Sequence, residues 1–213
     1  FLLSCNVGEI LLVFVSILLG WEVPLLPIQL LWLNLVTDSF PALALGVEPA
    51  EPNIMTQKPR DTKEGILDKA MYGGIVFQAM AISGACLLAY YLGVQRYGIT
   101  DGLSRVRTIV FATLITAELL RAFSSRSQDY TLFKIGFFSN KTMNKAVIVS
   151  FVLTIVVLYV PFLTNIFHTV PLSVADWVTV LSFALFPLVI GEIYKMIFKN
   201  KQSKVKYVSK ISS

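Results

Sequence analysis

Residues 29–49, QLLWLNLVTDSFPALALGVEP, read as an apolar helix with Asn34, Thr37 and Asp38 at its middle. The spacing i, i+3, i+4 predicts that these three oxygen-bearing side chains share one helical face. An ionisable side chain at such a depth in an apolar segment is costly, and it marks an ion or proton pathway by default. Pro41 has no N–H, so the carbonyl of Thr37 is predicted to lose its helical partner, and the proline ring crowds that carbonyl. A freed carbonyl beside a carboxylate, an amide and a hydroxyl is a set of hard oxygen ligands. The plainer alternative is a kinked helix whose polar residues bond only to neighbouring helices.

Working outward, residues 1–20, FLLSCNVGEILLVFVSILLG, form a second apolar segment. Asn6 and Glu9 are spaced i, i+3 and share a face, and Gly8 between them permits close approach of another helix. Neither Glu9 nor Asp38 has a Lys or Arg on its own segment. A metal cation is the natural counter-charge for the pair.

Hydrophobic residues make up 55% of the 213, and only 15% are charged, the balance of a membrane domain. Windows of about 20 apolar residues mark bilayer spans. Six are expected: 1–20, 26–45, 70–93, 107–123, 143–164 and 176–198. Short connections between them predict an all-α membrane protein, a six-transmembrane-helix up-and-down bundle. No strand-like alternation is sustained. The chain divides into an ion-binding helix pair (1–45), a cytoplasmic loop (46–69), four supporting transmembrane helices (70–198) and a basic cytoplasmic tail (199–213). It opens with Phe1 inside an apolar run and shows no signal peptide, which points to a piece of a longer protein.

Basic residues set the expected orientation. Fifteen of the 18 Lys and Arg fall in the 46–69 loop, the 121–145 loop and the tail from Lys195 onward. Only Arg96, Arg105 and Arg107 fall on the other side. A multi-pass cell-membrane protein with its C-terminus in the cytoplasm is expected, and the +5 balance is a topology signal. The basic residues are not gathered into one module, so no nucleic-acid partner is expected. The expected partners are membrane lipids, with the tail drawn to anionic headgroups.

The motifs NVGE at 6–9 and NLVTD at 34–38, followed by PALALGVEP at 41–49, resemble the fifth and sixth membrane helices of P-type cation pumps. They are most similar to the calcium-transporting branch, of bacterial-like type. The loop IMTQKPRDTKEGIL at 54–67 resembles the following cytoplasmic loop of that branch, and a weaker similarity runs to the C-terminus. The resemblance implies the fifth to tenth transmembrane helices of a pump that binds Ca2+ from the cytoplasm and releases it outside. It implies a cycle driven through an aspartyl-phosphate, with protons replacing the ion on the acids after release. It also assigns a role to Glu118 in the fourth span, whose position resembles a carboxylate completing one of two ion sites. The metal set is then Asn6, Glu9, Asn34, Thr37, Asp38 and Glu118. Arg121, at i, i+3 from Glu118, is a competing partner that would favour one ion over two.

No Asp-Lys-Thr-Gly-Thr phosphorylation motif and no P-loop occurs, so no catalytic or cofactor-binding residue is assigned. The resemblance implies that ATP and Mg2+ act only through cytoplasmic domains preceding the first span here. Those N-terminal pump domains are an implied partner, and the chain alone is expected to be inactive. Two alternatives stay open: a P-type pump for another cation (Mn2+, Na+, K+ or H+), and a non-pump secondary transporter or scaffold. Cys5 and Cys86, in different spans, are expected to be packing residues and not a disulfide or metal pair. Glu192 beside Lys195 is expected to form a solvated interfacial ion pair.

Overall fold

The apolar segments do form helices, and the way two of them are interrupted positions everything else. The structure, a computed structural model, describes residues 1–49, 69–127 and 130–211, with side chains described through 197. The 54–67 motif, most of the 46–69 loop and the side chains of the 199–213 tail lie outside the described residues. The elements are α1 (Leu2–Leu18), α2 (Pro27–Trp32), a π-helical turn (Leu33–Thr37), α3 (Ser39–Gly46), α4 (Lys69–Tyr97) and α5 (Leu103–Ser124). They continue with α6 (Leu132–Ile135), α7 (Lys141–Tyr159), α8 (Pro161–Phe167) and α9 (Val174–Ile211). Among the described residues there is no strand, and the molecule is an all-α membrane bundle.

Four segments are long and apolar enough to cross a bilayer: Pro27–Gly46, Met71–Tyr97, Lys141–Tyr159 and Val174–Ile197. The other two expected spans differ for identifiable reasons. Helix α1 is apolar but has 17 residues, at the short limit for a span. Helix α5 carries Arg105, Arg107, Glu118 and Arg121. Arg105 and Arg107 lie partly exposed at one end of the helix, whereas Glu118 is buried where α5, the central helix, packs chiefly on α9 and α4. A helix shielded by protein on all sides need not be apolar towards lipid.

The expected span 143–164 stops at Tyr159. Val160 is extended, with ψ 119°, because the ring of Pro161 disfavours helix at the residue before it. Pro161 then opens α8 at a position where no N–H is needed. Helix α1 ends at Leu18, and Gly20 in the turn just beyond has a φ of +69°, which favours a residue without a Cβ. Helix α1 lies on α4, and a Cβ on Gly8 would stand 3.4 Å from Ile82 Cγ2 and 3.5 Å from the Ala79 carbonyl oxygen. The approach read from the NVGE motif is thus used against α4, with room for no more than a methyl group.

Polar clasps close both ends of the bundle. At the basic end, Arg126 holds Glu48 with Nη2 at 2.8 Å and Nε at 2.9 Å from Oε1. The same guanidinium donates to the Gly136 carbonyl at 2.9 Å and to Ser139 Oγ at 2.6 Å. Asn140 Nδ2 also donates to Glu48. The end of α3 is thereby tied to the loop between α5 and α7. The Glu192–Lys195 pair sits at this end too, at 2.9 Å, with Glu192 buried and Lys195 partly exposed, less solvated than expected. Glu192 accepts from Ser124 Oγ and from the Leu132 N–H, both at 2.7 Å, which draws it into the α5–α9 contact.

At the opposite end, Arg105 stacks over Tyr97 at 5.1 Å and reaches Asp176 at 3.8 Å. Arg107 donates to the Val23 carbonyl at 2.8 Å, and Arg96 lies over Tyr97 at 5.5 Å. The sparse basic residues of this side therefore fasten its connections. Trp21 stacks on Tyr90, and Trp177 Nε1 donates to Tyr159 Oη at 2.8 Å, as suits aromatic residues at a membrane interface.

Candidate functional site

The site begins with the break between α2 and α3. Helix α2 starts at Pro27 and runs regularly to Trp32. The backbone then widens by one residue, and the Asp38 N–H bonds to the Leu33 carbonyl at 3.0 Å, an i to i+5 bond. Single π turns of this kind recur at functional positions. Pro41 lies just beyond, where the chain resumes α geometry with Ala42 N–H on the Asp38 carbonyl at 3.0 Å. Within this turn the three polar residues differ in burial. Thr37 and Asp38 are buried, while Asn34 is largely exposed.

The carbonyl of Thr37 is not left without a partner. Ser150 Oγ of α7 donates to it at 3.3 Å. The missing proline N–H has been replaced by a hydroxyl from another helix, leaving that oxygen's second lone pair. Thr37 Oγ1 donates to the Leu33 carbonyl at 2.8 Å, so its own lone pairs remain available for a ligand.

Three carboxylates converge here. Glu9 of α1, Asp38 after the π turn and Glu118 of α5 are 7%, 1% and 0% exposed. One oxygen of Asp38 and one of Glu118 lie within 4.8 Å of each other. Asn34 Nδ2 donates to Glu9 Oε2 at 2.7 Å and to the Leu30 carbonyl at 3.0 Å. The remaining five carboxylate oxygens, Glu9 Oε1 and both oxygens of Asp38 and of Glu118, are buried without a hydrogen-bond partner. Each buried polar atom left unpaired costs about 1–3 kcal/mol, and more when charged. A polar cation shared among them removes that cost. This donor chemistry fits a hard divalent cation.

Arg121 makes no hydrogen bond to Glu118, whose two oxygens have no partner, and no ion pair joins them among the described residues. Its side chain instead borders a cavity of about 200 Å³ near the basic end, with Ser124, Gln78 and Lys195. Asn6 is exposed on α1. The structure therefore brings together Glu9, Asn34, Thr37, Asp38 and Glu118, and leaves Asn6 facing outward.

One residue of the cluster was read from the sequence only as packing. Cys5 is fully buried, and its Sγ and one oxygen each of Asp38 and Glu118 all lie within 4.8 Å of one another. Its i, i+4 relation to Glu9 was the available signal. Cys5 and Cys86 are both buried, free thiols.

Comparison with known proteins gives a consistent picture. Residues 22–197 match the family described as "Cation transporting ATPase, C-terminus". The chain is 38% identical to Calcium-transporting ATPase 1 of Bacillus cereus, over 94% of its own length and 24% of the relative's. It is 40% identical to Calcium-transporting ATPase of Bacillus subtilis, over 88% of the chain and 21% of the relative. It is 30% identical to Calcium-transporting ATPase type 2C member 1 of Homo sapiens, over 100% of the chain and 23% of the relative. The chain thus spans about a quarter of the length of the relatives it matches.

Proposed function

Because the chain belongs to the cation-transporting ATPase C-terminal family, we propose that it is the ion-binding membrane part of an ATP-driven pump exporting Ca2+ from the cytoplasm. The observation that carries the reading is the group of five unpartnered carboxylate oxygens on three helices, at the π turn after Trp32. Calcium takes six to eight oxygen ligands at about 2.3–2.6 Å in flexible geometry. Glu9, Asp38 and Glu118 supply the charge. Asn34 and Thr37 supply neutral oxygens, and the Asn34 amide also holds Glu9 in place. The names of the relatives support calcium as the cargo.

In this reading, phosphorylation by ATP with Mg2+ takes place in parts of the protein outside this chain. The chain's own residues strip water from the cation, hold it and release it. Asn6 and the exposed side of Asn34 face where the remaining membrane helices would pack and complete the cage. The charge asymmetry of the basic loops and tail supports a cytoplasmic C-terminus. The test is ATP hydrolysis by the full-length protein across a cation panel. Stimulation by micromolar Ca2+ is expected. Stimulation by a monovalent cation alone would overturn the calcium reading.

A further inference from the structure

The side chain that distinguishes this cluster from an all-oxygen cage is Cys5. Its sulfur is fully buried. It shares its surroundings with Asp38 and Glu118, which are at least nine-tenths buried and whose oxygens have no hydrogen-bond partner. One ligand atom from each lies within 4.8 Å of the others. A cation with bonds of about 2.3–2.6 Å holds opposite ligands about 4.6–5.2 Å apart, so these three atoms surround such an ion with little movement. Thiolate sulfur favours softer cations than carboxylate oxygen does.

We propose that Cys5, Asp38 and Glu118 form a mixed sulfur–oxygen site for a sulfur-seeking divalent cation of about the size of Ca2+, for which Cd2+ is the probe. The site overlaps the calcium cage, so the inference rests on the proposed cage and adds a competing ion to it. On binding, the Cys5 S–H bond breaks and an S–Cd bond forms. The proton passes to solvent, as metal binding to thiols requires. Asp38 and Glu118 complete the shell through oxygen. Cys86 is also buried and free but does not belong to this group.

The experiment titrates the full-length protein in detergent with Cd2+, for wild type, Cys5→Ser and Cys86→Ser. It reads the thiolate-to-cadmium ultraviolet band and the displacement of bound radioactive calcium. A calcium-displaceable part of the band is expected in wild type and Cys86→Ser and absent in Cys5→Ser. The ratio of Cd2+ to Ca2+ affinity is expected to fall about tenfold or more in Cys5→Ser. A calcium-displaceable band of wild-type size in Cys5→Ser overturns the site, as does its loss only in Cys86→Ser. If Cys5→Ser does not fold, X-ray absorption at the cadmium edge on the calcium-displaceable ion of the wild type decides. A sulfur in the shell is expected, and an all-oxygen shell overturns the proposal. None of these measurements needs turnover, so absence of calcium-stimulated ATP hydrolysis would count against the pump reading separately.

Discussion

Asn34 donates its amide to Glu9 at 2.7 Å, and this bond joins the first two membrane segments at the level of the cage. It fixes one oxygen of Glu9 and leaves the other, Oε1, unpartnered beside the acids of two other helices. The amide therefore orients a ligand as well as offering one. A hydrogen bond to a charged group contributes about 1.5–3 kcal/mol, so Asn34→Ala should weaken cation affinity roughly 10- to 100-fold. Phosphorylation of the intact pump from ATP, titrated against Ca2+, measures it. Wild-type affinity in Asn34→Ala would show that Glu9 needs no such support.

Asp38→Asn and Glu9→Gln remove charge from the cage itself. Each should abolish calcium-dependent phosphorylation from ATP while sparing phosphorylation from inorganic phosphate, which uses the ion-free protein. The two carboxylates sit on different helices without a basic partner, and that is the reason for the expectation. Full calcium dependence in Asp38→Asn would remove this residue from the cage.

In the proposed cage, the number of ions turns on Glu118. Its oxygens make no bond to Arg121, so its charge remains available to a cation. Two calcium ions per phosphorylation site are expected in the wild-type pump and one in Glu118→Gln. Radioactive calcium bound per phosphoenzyme is the measurement. One ion in both proteins would exclude the two-ion arrangement without touching the pump assignment.

The clasp of Arg126 on Glu48 should matter for stability and not for ion binding. Removing one partner of a buried pair costs about 3–5 kcal/mol. Arg126→Ala should lower the thermal midpoint of the detergent-solubilised protein, and Glu48→Gln should add little in that background. Additive effects in this double-mutant cycle would show that the two residues are not coupled.

Orientation is open to a direct check. In a protein otherwise lacking accessible thiols, Lys63→Cys and Lys204→Cys should react with a membrane-impermeant reagent only from the cytoplasm. Asp101→Cys should react only from outside. The crowding of basic residues on one side motivates this. Labelling of Lys63→Cys from outside would reverse the proposed direction of transport.

The sequence by itself determined the class of the molecule and pointed to most of the residues of the proposed cage. Long apolar segments can satisfy their backbone in a bilayer only as helices, so composition and length suffice to predict an all-α bundle. Glu9 and Asp38 stood out because acids in apolar segments are costly wherever they end up. Glu118 was found through the resemblance, since position within α5 says nothing about what faces it. Tertiary structure decided the rest. The chain turns through a π turn after Trp32, and Thr37 and Asp38 end up buried while Asn34 stays exposed and reaches Glu9. Ser150 took the Thr37 carbonyl from 113 positions away, a contact with no local signature. Helix α5 could carry Glu118 mid-helix because its neighbours, and not lipid, surround it there. Cys5 became part of an acidic cluster for the same reason. Spacing places a residue on a face of its own helix, but only the packing of helices decides what that face meets.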